Sequence, residues 1–138
     1  MKFVDSIPPK FIPDESEHVN HFNVVRALIN NECNTQSFLP TFLEPGRTNA
    51  AFFNPEDPES YSLSLYRSVE ELNKATRPIK SFWKKHKGYA IGFTSLKRGI
   101  SLEINNETGH ISYFLQDAYN NNPSEDFSYL EINENEND

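Results

Sequence analysis

Residues 100–115 read Ile-Ser-Leu-Glu-Ile-Asn-Asn-Glu-Thr-Gly-His-Ile-Ser-Tyr-Phe-Leu, and this stretch decides the fold. Apolar and polar residues alternate over 100–104, which is the period of a half-buried strand. Residues 105–109 contain Asn and end in Gly, residue types that favour tight turns. A second apolar run fills 110–115. The pattern predicts an antiparallel β-hairpin.

Three further strand patterns lie on either side of the predicted hairpin. Residues 61–67, Tyr-Ser-Leu-Ser-Leu-Tyr-Arg, alternate with a period of two, and residues 88–94, Gly-Tyr-Ala-Ile-Gly-Phe-Thr, form a short apolar run. Residues 127–132 are expected to add an edge strand. Together with the hairpin, these segments predict an antiparallel sheet of four to five short strands.

A helix is predicted directly after the first of these strands. Residues 68–71, Ser-Val-Glu-Glu, have the capping-box form, in which a Ser and a Glu three residues later satisfy each other's backbone N–H groups. Val69, Leu72 and Ala75 would face the core. The helix should end before Pro78, because the residue that precedes a proline disfavours helical backbone.

The segment over residues 16–29 has two interpretations. Its apolar residues are Val19, Phe22, Val25, Leu28 and Ile29. Their intervals of three, three, three and one favour one face of a helix. The β-branched residues within the segment favour instead a strand from 22 to 29. The helix is the preferred interpretation, and the strand remains open.

The chain of 138 residues suits a single small domain of the α+β class. Residues 1–16 are expected to form an extended Pro-rich arm, because each proline restricts φ and removes a backbone donor. Residues 17–132 would form the domain, with one or two helices and a long ordered loop over 34–60. Residues 133–138 are polar and acidic, and are expected to fray.

Composition excludes several classes of protein. Hydrophobic residues make up 36% of the chain, and no apolar run reaches the ~18 residues that a membrane helix needs. The single cysteine, Cys33, rules out an internal disulfide and a zinc site with several thiolates. No Gly-rich phosphate loop is present, and His18 and His21 lack a third ligand nearby, so neither cofactor nor metal is expected. With no apolar leader at the start, the protein is expected to be cytoplasmic and to have no membrane partner.

Charge is distributed unevenly along the chain. The net charge of −7 disfavours a general nucleic-acid binder. Yet residues 74–98 hold eight of the thirteen bases and no acid, whereas residues 117–138 hold seven acids and no base. The basic stretch is a candidate patch for an anion or a nucleic acid, with an indole and an imidazole available for stacking. Its candidate residues are Lys80, Trp83, Lys84, Lys85, His86 and Lys87.

Four short segments together resemble a known family. They are Pro-Gly-Arg-Thr-Asn-Ala-Ala-Phe at 45–52, Ser-Leu-Ser-Leu at 62–65, Gly-Ile-Ser-Leu at 99–102 and Gly-His-Ile at 109–111. Over residues 45–115 the chain resembles a scattered family of short bacterial proteins with Arg-x-Ser-Ser-x-x-Phe, Leu-Ser-Val and Ala-His segments. Thr and Asn stand here where that family tends to have serines, and Gly-His replaces Ala-His. The family has no established activity, so the resemblance implies positions rather than chemistry.

By this resemblance, Arg47, Phe52, Ser64 and His110 would gather around one site, and Arg67 ends the strand that carries Ser64. Such a site could bind an anion, or a serine and a histidine could act as nucleophile and base. The alternative is that Ser64 and His110 only tie the backbone to a loop through hydrogen bonds. Whether the site is catalytic stays open.

We therefore expect a non-catalytic protein-binding or accessory module of a bacterial cytosolic system, such as a toxin–antitoxin or phage-defence system. Its partner would be another protein, and the oligomeric state stays open. One alternative is an enzyme that acts on a nucleotide or another anionic substrate. Another is a nucleic-acid-binding protein that uses the basic stretch over 74–98.

Overall fold

A computed structural model describes residues 7–28, 38, 54–76, 88–116 and 123–131. Its strands are β1 (Val24–Leu28), β2 (Leu63–Tyr66), β3 (Gly88–Gly92), β4 (Gly99–Ser101), β5 (His110–Leu115) and β6 (Phe127–Glu131). Helix α1 spans Val69–Thr76, and short 3₁₀ turns lie at Pro9–Phe11, Glu15–Glu17, Pro58–Tyr61 and Pro123–Asp126.

The six strands form one antiparallel sheet in the order β4-β5-β2-β1-β3-β6. This arrangement confirms the predicted α+β class and the antiparallel sheet. The sheet within the described residues has six strands rather than the four to five predicted. The additional strand is β1, which comes from the segment that was expected to be a helix.

The preferred prediction of a helix over residues 16–29 is wrong. Residues 15–17 make a single 3₁₀ turn, and β1 lies at the centre of the sheet between β2 and β3. The helical spacing was misleading because Val19 and Phe22 are exposed rather than buried. Val25 pairs with Tyr66 on one side and Ile91 on the other, so the β-branched residues follow their strand preference.

The predicted hairpin is confirmed as β4, a turn and β5, although β4 ends at Ser101 rather than at residue 104. Within the turn, the amide of Gly109 donates to the carbonyl of Asn105, and the amide of Asn105 donates to the carbonyl of His110. Gly109 has a φ of +77°, which side chains other than glycine rarely adopt. A Cβ at Gly109 would also lie 2.4 Å from the carboxyl carbon of Glu71, so the turn packs closely against α1.

Side chains alternate between the two faces of each strand, and the two faces are covered differently. Leu63 and Leu65 of β2 point to the face with the larger apolar core, where the Phe38 and Phe127 rings lie 4.9 Å apart. The buried members of this core are Val24, Leu28, Phe38, Leu63, Leu65, Ala90, Ile111, Tyr113, Leu115 and Phe127. Ser64 and Tyr66 point to the opposite face. That face therefore carries polar groups in the middle of the sheet.

Helix α1 covers part of the second face of the sheet. It begins as predicted after Ser68, whose Oγ accepts a hydrogen bond from the amide of Glu71, and it ends before Pro78. Leu72 is buried against Val25 and Tyr89, as expected for an inward residue. Ala75 is exposed instead, and Thr76 occupies the inward position one turn after Leu72, because equivalent positions recur every three to four residues.

Part of the predicted N-terminal arm packs against the same face. Ile7 is buried with Tyr61 and Phe114, and Phe11 stacks on the Tyr61 ring at 5.6 Å. Of the predicted loop over 34–60, the structure describes residue 38 and residues 54–60. The predicted tail over 133–138 lies outside the described residues.

Candidate functional site

Ser64 and His110 lie on the second face of the sheet, on neighbouring strands. In the antiparallel register, Ser64 pairs with Ser112 and Tyr66 pairs with His110, so Ser64 and His110 are diagonal neighbours on one face. The His110 Nε2 atom lies 3.0 Å from the Ser64 Oγ atom. The structure thus brings together two of the four residues expected around one site.

Glu59 joins these two residues from outside the sheet. It lies in the 3₁₀ turn over Pro58–Tyr61, which Asp57 caps by accepting a hydrogen bond from the Glu59 amide. Both carboxylate oxygens of Glu59 accept from the Ser112 hydroxyl, at 2.7 and 2.8 Å. Its Oε2 atom is 3.9 Å from the His110 Nε2 atom. We call Glu59, Ser64, His110 and Ser112 the polar cluster.

The surroundings of His110 favour its neutral form. Burial lowers the pKa of His110 below its ordinary value of 6.5, and the Glu59 carboxylate opposes this by raising it. The ring of Tyr66 meets the imidazole edge-on, with ring centroids 5.3 Å apart. Burial raises the pKa of Tyr66, and the charge of Glu59 raises it further. A neutral imidazole has one donor and one acceptor nitrogen, so it can accept a hydrogen bond from Ser64.

The polar cluster has only part of what a serine nucleophile needs. A neutral histidine within hydrogen-bond reach can take the proton of a serine hydroxyl. In a catalytic triad, however, the carboxylate holds the other ring nitrogen and so orients the base. Here Glu59 and Ser64 both approach Nε2 of His110. The geometry therefore fits a network that fastens residues 58–62 to the sheet better than it fits a triad.

Arg67 does not join the polar cluster through its guanidinium group. Its Nε and Nη2 atoms donate to the two carboxylate oxygens of Glu71, at 2.8 and 2.5 Å. These bonds raise the pKa of Arg67 and lower the pKa of Glu71. The backbone amide of Arg67 donates to the carbonyl of Gly109, which ties α1 to the β4–β5 turn. Arg67 is thus positioned to stabilise the β4–β5 turn rather than to bind a ligand.

The other predicted site residues lie outside the described residues. These are Arg47, Phe52 and the basic candidates Lys80, Trp83, Lys84, Lys85, His86 and Lys87. Of the described bases in the 74–98 stretch, Arg98 is engaged by two acids. Its Nη2 and Nε atoms each lie 3.1 Å from a carboxylate oxygen, of Glu125 and Asp126 respectively.

Sequence reasoning missed a second feature, which lies where β1 begins. Val24 pairs with Gly92, and beyond this pair the amide of Thr94 donates to the carbonyl of His21. Phe22 and Asn23 therefore lie opposite the single residue Phe93, which is the geometry of a β-bulge. Asn23 has a φ of 56°, and Asn is among the few residues other than glycine that tolerate this conformation.

The bulge exposes apolar side chains at this end of the sheet. Phe22 is 72% exposed and Phe93 is 42% exposed. Val19 and Leu96 are also exposed apolar residues of these two segments. The hydroxyl of Thr94 donates to the carbonyl of Val19, and Leu96 follows Thr94 by two residues. We use the name bulge surface for the four exposed apolar residues of the two segments that meet at the bulge, Val19, Phe22, Phe93 and Leu96. In the sequence, the local signal for the bulge was Asn23, which directly precedes Val24 and Val25.

The described residues contain no group of three His, Cys, Asp or Glu side chains that could hold a metal ion. None of the helices in this part of the chain has the length and apolar character needed to cross a bilayer.

Comparison with known proteins adds no relative from which a role could be transferred. No protein-family model matches the chain, and no curated protein or solved structure matches it either. The polar cluster and the bulge surface are therefore the features of the molecule that bear on its function.

Proposed function

We propose that the protein is a non-catalytic protein-binding module, and that it binds its partner through the bulge surface. The observation that carries the proposal is the exposure of Phe22, 72% of whose surface is open to solvent beside the half-exposed Phe93. Aromatic side chains supply much of the binding free energy where proteins meet, since each buries a large rigid area. Bulges commonly re-aim side chains at such sites.

The charge of the chain favours a partner other than a second copy. The net charge is −7, and two copies would repel each other as they approach. A partner with a basic rim around an apolar centre would be attracted instead. The resemblance to short bacterial proteins supports a bacterial cytosolic setting, and a toxin–antitoxin or phage-defence system is one such setting.

The test isolates the complex that forms on the full-length chain in its native host. We expect a stoichiometric protein partner to be lost from the Phe22→Ser, Phe93→Ser double variant and to be retained by Asn106→Ser. Asn106 lies on the exposed β4–β5 turn and provides the matched control. Hydrogen exchange of the purified complex should show protection at residues 19–23 and 93–96. A partner that binds the double variant equally well would overturn the proposal.

A second candidate function is an enzyme, which the 3.0 Å approach of Ser64 and His110 favours. A fluorophosphonate probe tests it directly. Labelling of Ser64 that disappears in His110→Ala would establish an activated nucleophile, and the absence of labelling in the folded protein would exclude one. We rank this function lower because Glu59 would repel an anionic substrate and does not hold the second ring nitrogen.

A further inference from the structure

We propose that protonation of His18 releases residues 18–19 from β4 and so weakens binding at the bulge surface. The proposal rests on the protein-binding function above and adds a form of regulation to the same site. Its basis is the different hydrogen bonding of two histidines, His18 and His21, on one short segment. We call residues 18–22 the strap, because they bond both to β4 and to Thr94 beyond β3.

The strap carries two of the four residues of the bulge surface, Val19 and Phe22. Its backbone is attached to the rest of the protein at two points. At the first, the amide of Val19 donates to the carbonyl of Ser101 at 2.8 Å. At the second, the amide of Thr94 donates to the carbonyl of His21, and the amide of His21 donates to the Thr94 Oγ1 atom, both at 2.9 Å. The positions of Val19 and Phe22 therefore depend on these two attachments.

The ring of His18 accepts a hydrogen bond at the first attachment. Its Nδ1 atom accepts from the amide of Ser101 at 3.1 Å, and its Nε2 atom lies 2.7 Å from the Asn20 Oδ1 atom. Nδ1 therefore carries a lone pair and Nε2 carries the proton, which is the neutral imidazole. A protonated ring would instead turn a second N–H group toward the Ser101 amide. Because Ser101 is fully buried, its amide would lose its partner inside the protein, which is costly.

The ring of His21 donates a hydrogen bond at the second attachment. Its Nε2 atom lies 2.8 Å from the carbonyl oxygen of Leu102. A carbonyl oxygen only accepts, so Nε2 carries a proton in the neutral ring and keeps it in the charged ring. Protonation therefore removes the bond that His18 makes to Ser101 but preserves the bond that His21 makes to Leu102. The two histidines of the strap thus differ in their expected response to acid.

Charged side chains lie on each of the segments that meet at His18. They are Asp14, Glu15 and Glu17 on the preceding turn, and Lys97, Arg98 and Glu103 on the chain that flanks β4. The guanidinium of Arg98 is paired with Glu125 and Asp126. The acids around the strap favour a positive charge on a ring that has left Ser101. Since histidine is the side chain that ordinarily changes charge between about pH 5 and 8, mild acid is the signal that fits this attachment.

The first experiment measures backbone hydrogen exchange in the full-length protein by NMR at about pH 7.5 and pH 5.5. Protection factors are compared, because they correct for the pH dependence of exchange in an unfolded chain. We expect the protection of the Val19 amide to fall by about tenfold at the lower pH, since its attachment requires a neutral His18. The protection of the Thr94 amide, which bonds to the carbonyl of His21, should change by less than about twofold. No fall at Val19, or an equal fall at both amides, would overturn the proposal.

Two variants then identify the group that binds the proton. In His18→Asn the side-chain oxygen can accept from the Ser101 amide at either pH, so the protection of the Val19 amide should stay within about twofold. The matched control is His21→Gln, whose side-chain amide can donate to Leu102 in place of Nε2, and it should keep the tenfold fall. His110 is present in every variant, so its own titration is common to all of them. A full tenfold fall in His18→Asn would assign the effect to another group and overturn the proposal.

The complex isolated from the native host tests the link to binding. We expect the affinity of the unmodified chain for that partner to fall by about tenfold between pH 7.5 and 5.5, and the affinity of His18→Asn to fall less. An equal fall in both chains would overturn the link.

Failure of this inference can be told from failure of the proposed function, because exchange at the Val19 amide is measured without a partner. If the Phe22→Ser, Phe93→Ser variant loses the partner while the protection of Val19 does not change with pH, the bulge surface stands and the pH response does not. If the protection of Val19 falls as expected but the double variant keeps the partner, the strap responds to pH and the proposed function fails.

Discussion

The two edges of the sheet meet the same physical requirement in different ways. A strand with no neighbour leaves backbone donors and acceptors to water or to another chain. At β4 the chain satisfies these groups with its own residues 18–19, helped by the buried side chain of Ser101. At β6 the described residues provide no second neighbour. Residues 18–19 therefore make β4 part of the folded core, whereas the pairing of β6 within the described residues is with β3 alone.

The largest difference between the edges should appear when an apolar side chain is shortened. Ile100 of β4 is only 1% exposed, so Ile100→Ala should lower the free energy of unfolding by about 2–5 kcal/mol through lost contacts and a cavity. Leu130→Ala on β6 should cost less than about 1 kcal/mol, because that side chain already meets water. Urea denaturation of both variants measures the contrast. Equal costs would show that β6 is buried as deeply as β4.

A second prediction concerns the polar cover of the β4 edge. Ser101 is fully buried, and its hydroxyl contacts the carbonyl of Val19 and the Thr94 Oγ1 atom. Ser101→Ala should cost about 1–3 kcal/mol, because buried groups lose their hydrogen-bond partner. Hydrogen exchange should also become faster at the amide of Val19. If unfolding and exchange are both unchanged, the cover contributes nothing to the stability of this edge.

A third prediction concerns the pH dependence of the free energy of unfolding, which should depend on His110 but not on Ser101 of β4 or Leu130 of β6. The pKa of His110 is lowered in the folded protein, so the unfolded chain binds more protons as the pH falls below about 6.5. Above this pH, the contribution of neutral His110 to the free energy of unfolding is complete. This contribution is lost as the pH falls toward the pKa of His110 in the folded protein.

Denaturation at several pH values between about 7.5 and 5.5 measures this effect, in a range above the ordinary pKa of most carboxylates. His110→Gln should flatten the dependence, whereas Ser101→Ala and Leu130→Ala should retain it. If the free energy of unfolding of His110→Gln still depends on pH in the same way, the group that binds the proton is not His110.

The smallest expected effect is the change in stability when a charge is added to β6. Leu130→Lys should alter the free energy of unfolding by no more than about 0.5 kcal/mol, as should Asn106→Lys, because both positions are exposed. A large loss in Leu130→Lys alone would mean that β6 already has a neighbour. β6 would then be part of the folded core like β4.

Local chemistry made much of the fold predictable. Alternating residues over 61–67 and 100–104 placed β2 and β4, the turn and the run over 105–115 placed β5, and the Ser68 cap placed the start of α1. The central position of β1 was not predictable in the same way, since its spacing imitated a helix while its burial depended on β2 and β3. For the candidate site, the approach of Ser64 to His110 was expected, but the contribution of Glu59 was not. Its position depends on how the 3₁₀ turn just before β2 packs against Ser112 of β5.

The local sequence indicates where strands and turns can form, because alternation, capping and positive φ are properties of residues close together along the chain. The acidic character of the chain, with its net charge of −7, is likewise a property of the sequence alone. Long-range packing sets which strand lies at the centre of the sheet and which edge is covered. It also sets the exposure of Phe22 beside the bulge. These outcomes depend on pairing between residues that are distant along the chain. The free energy of that pairing cannot be read from a local sequence pattern.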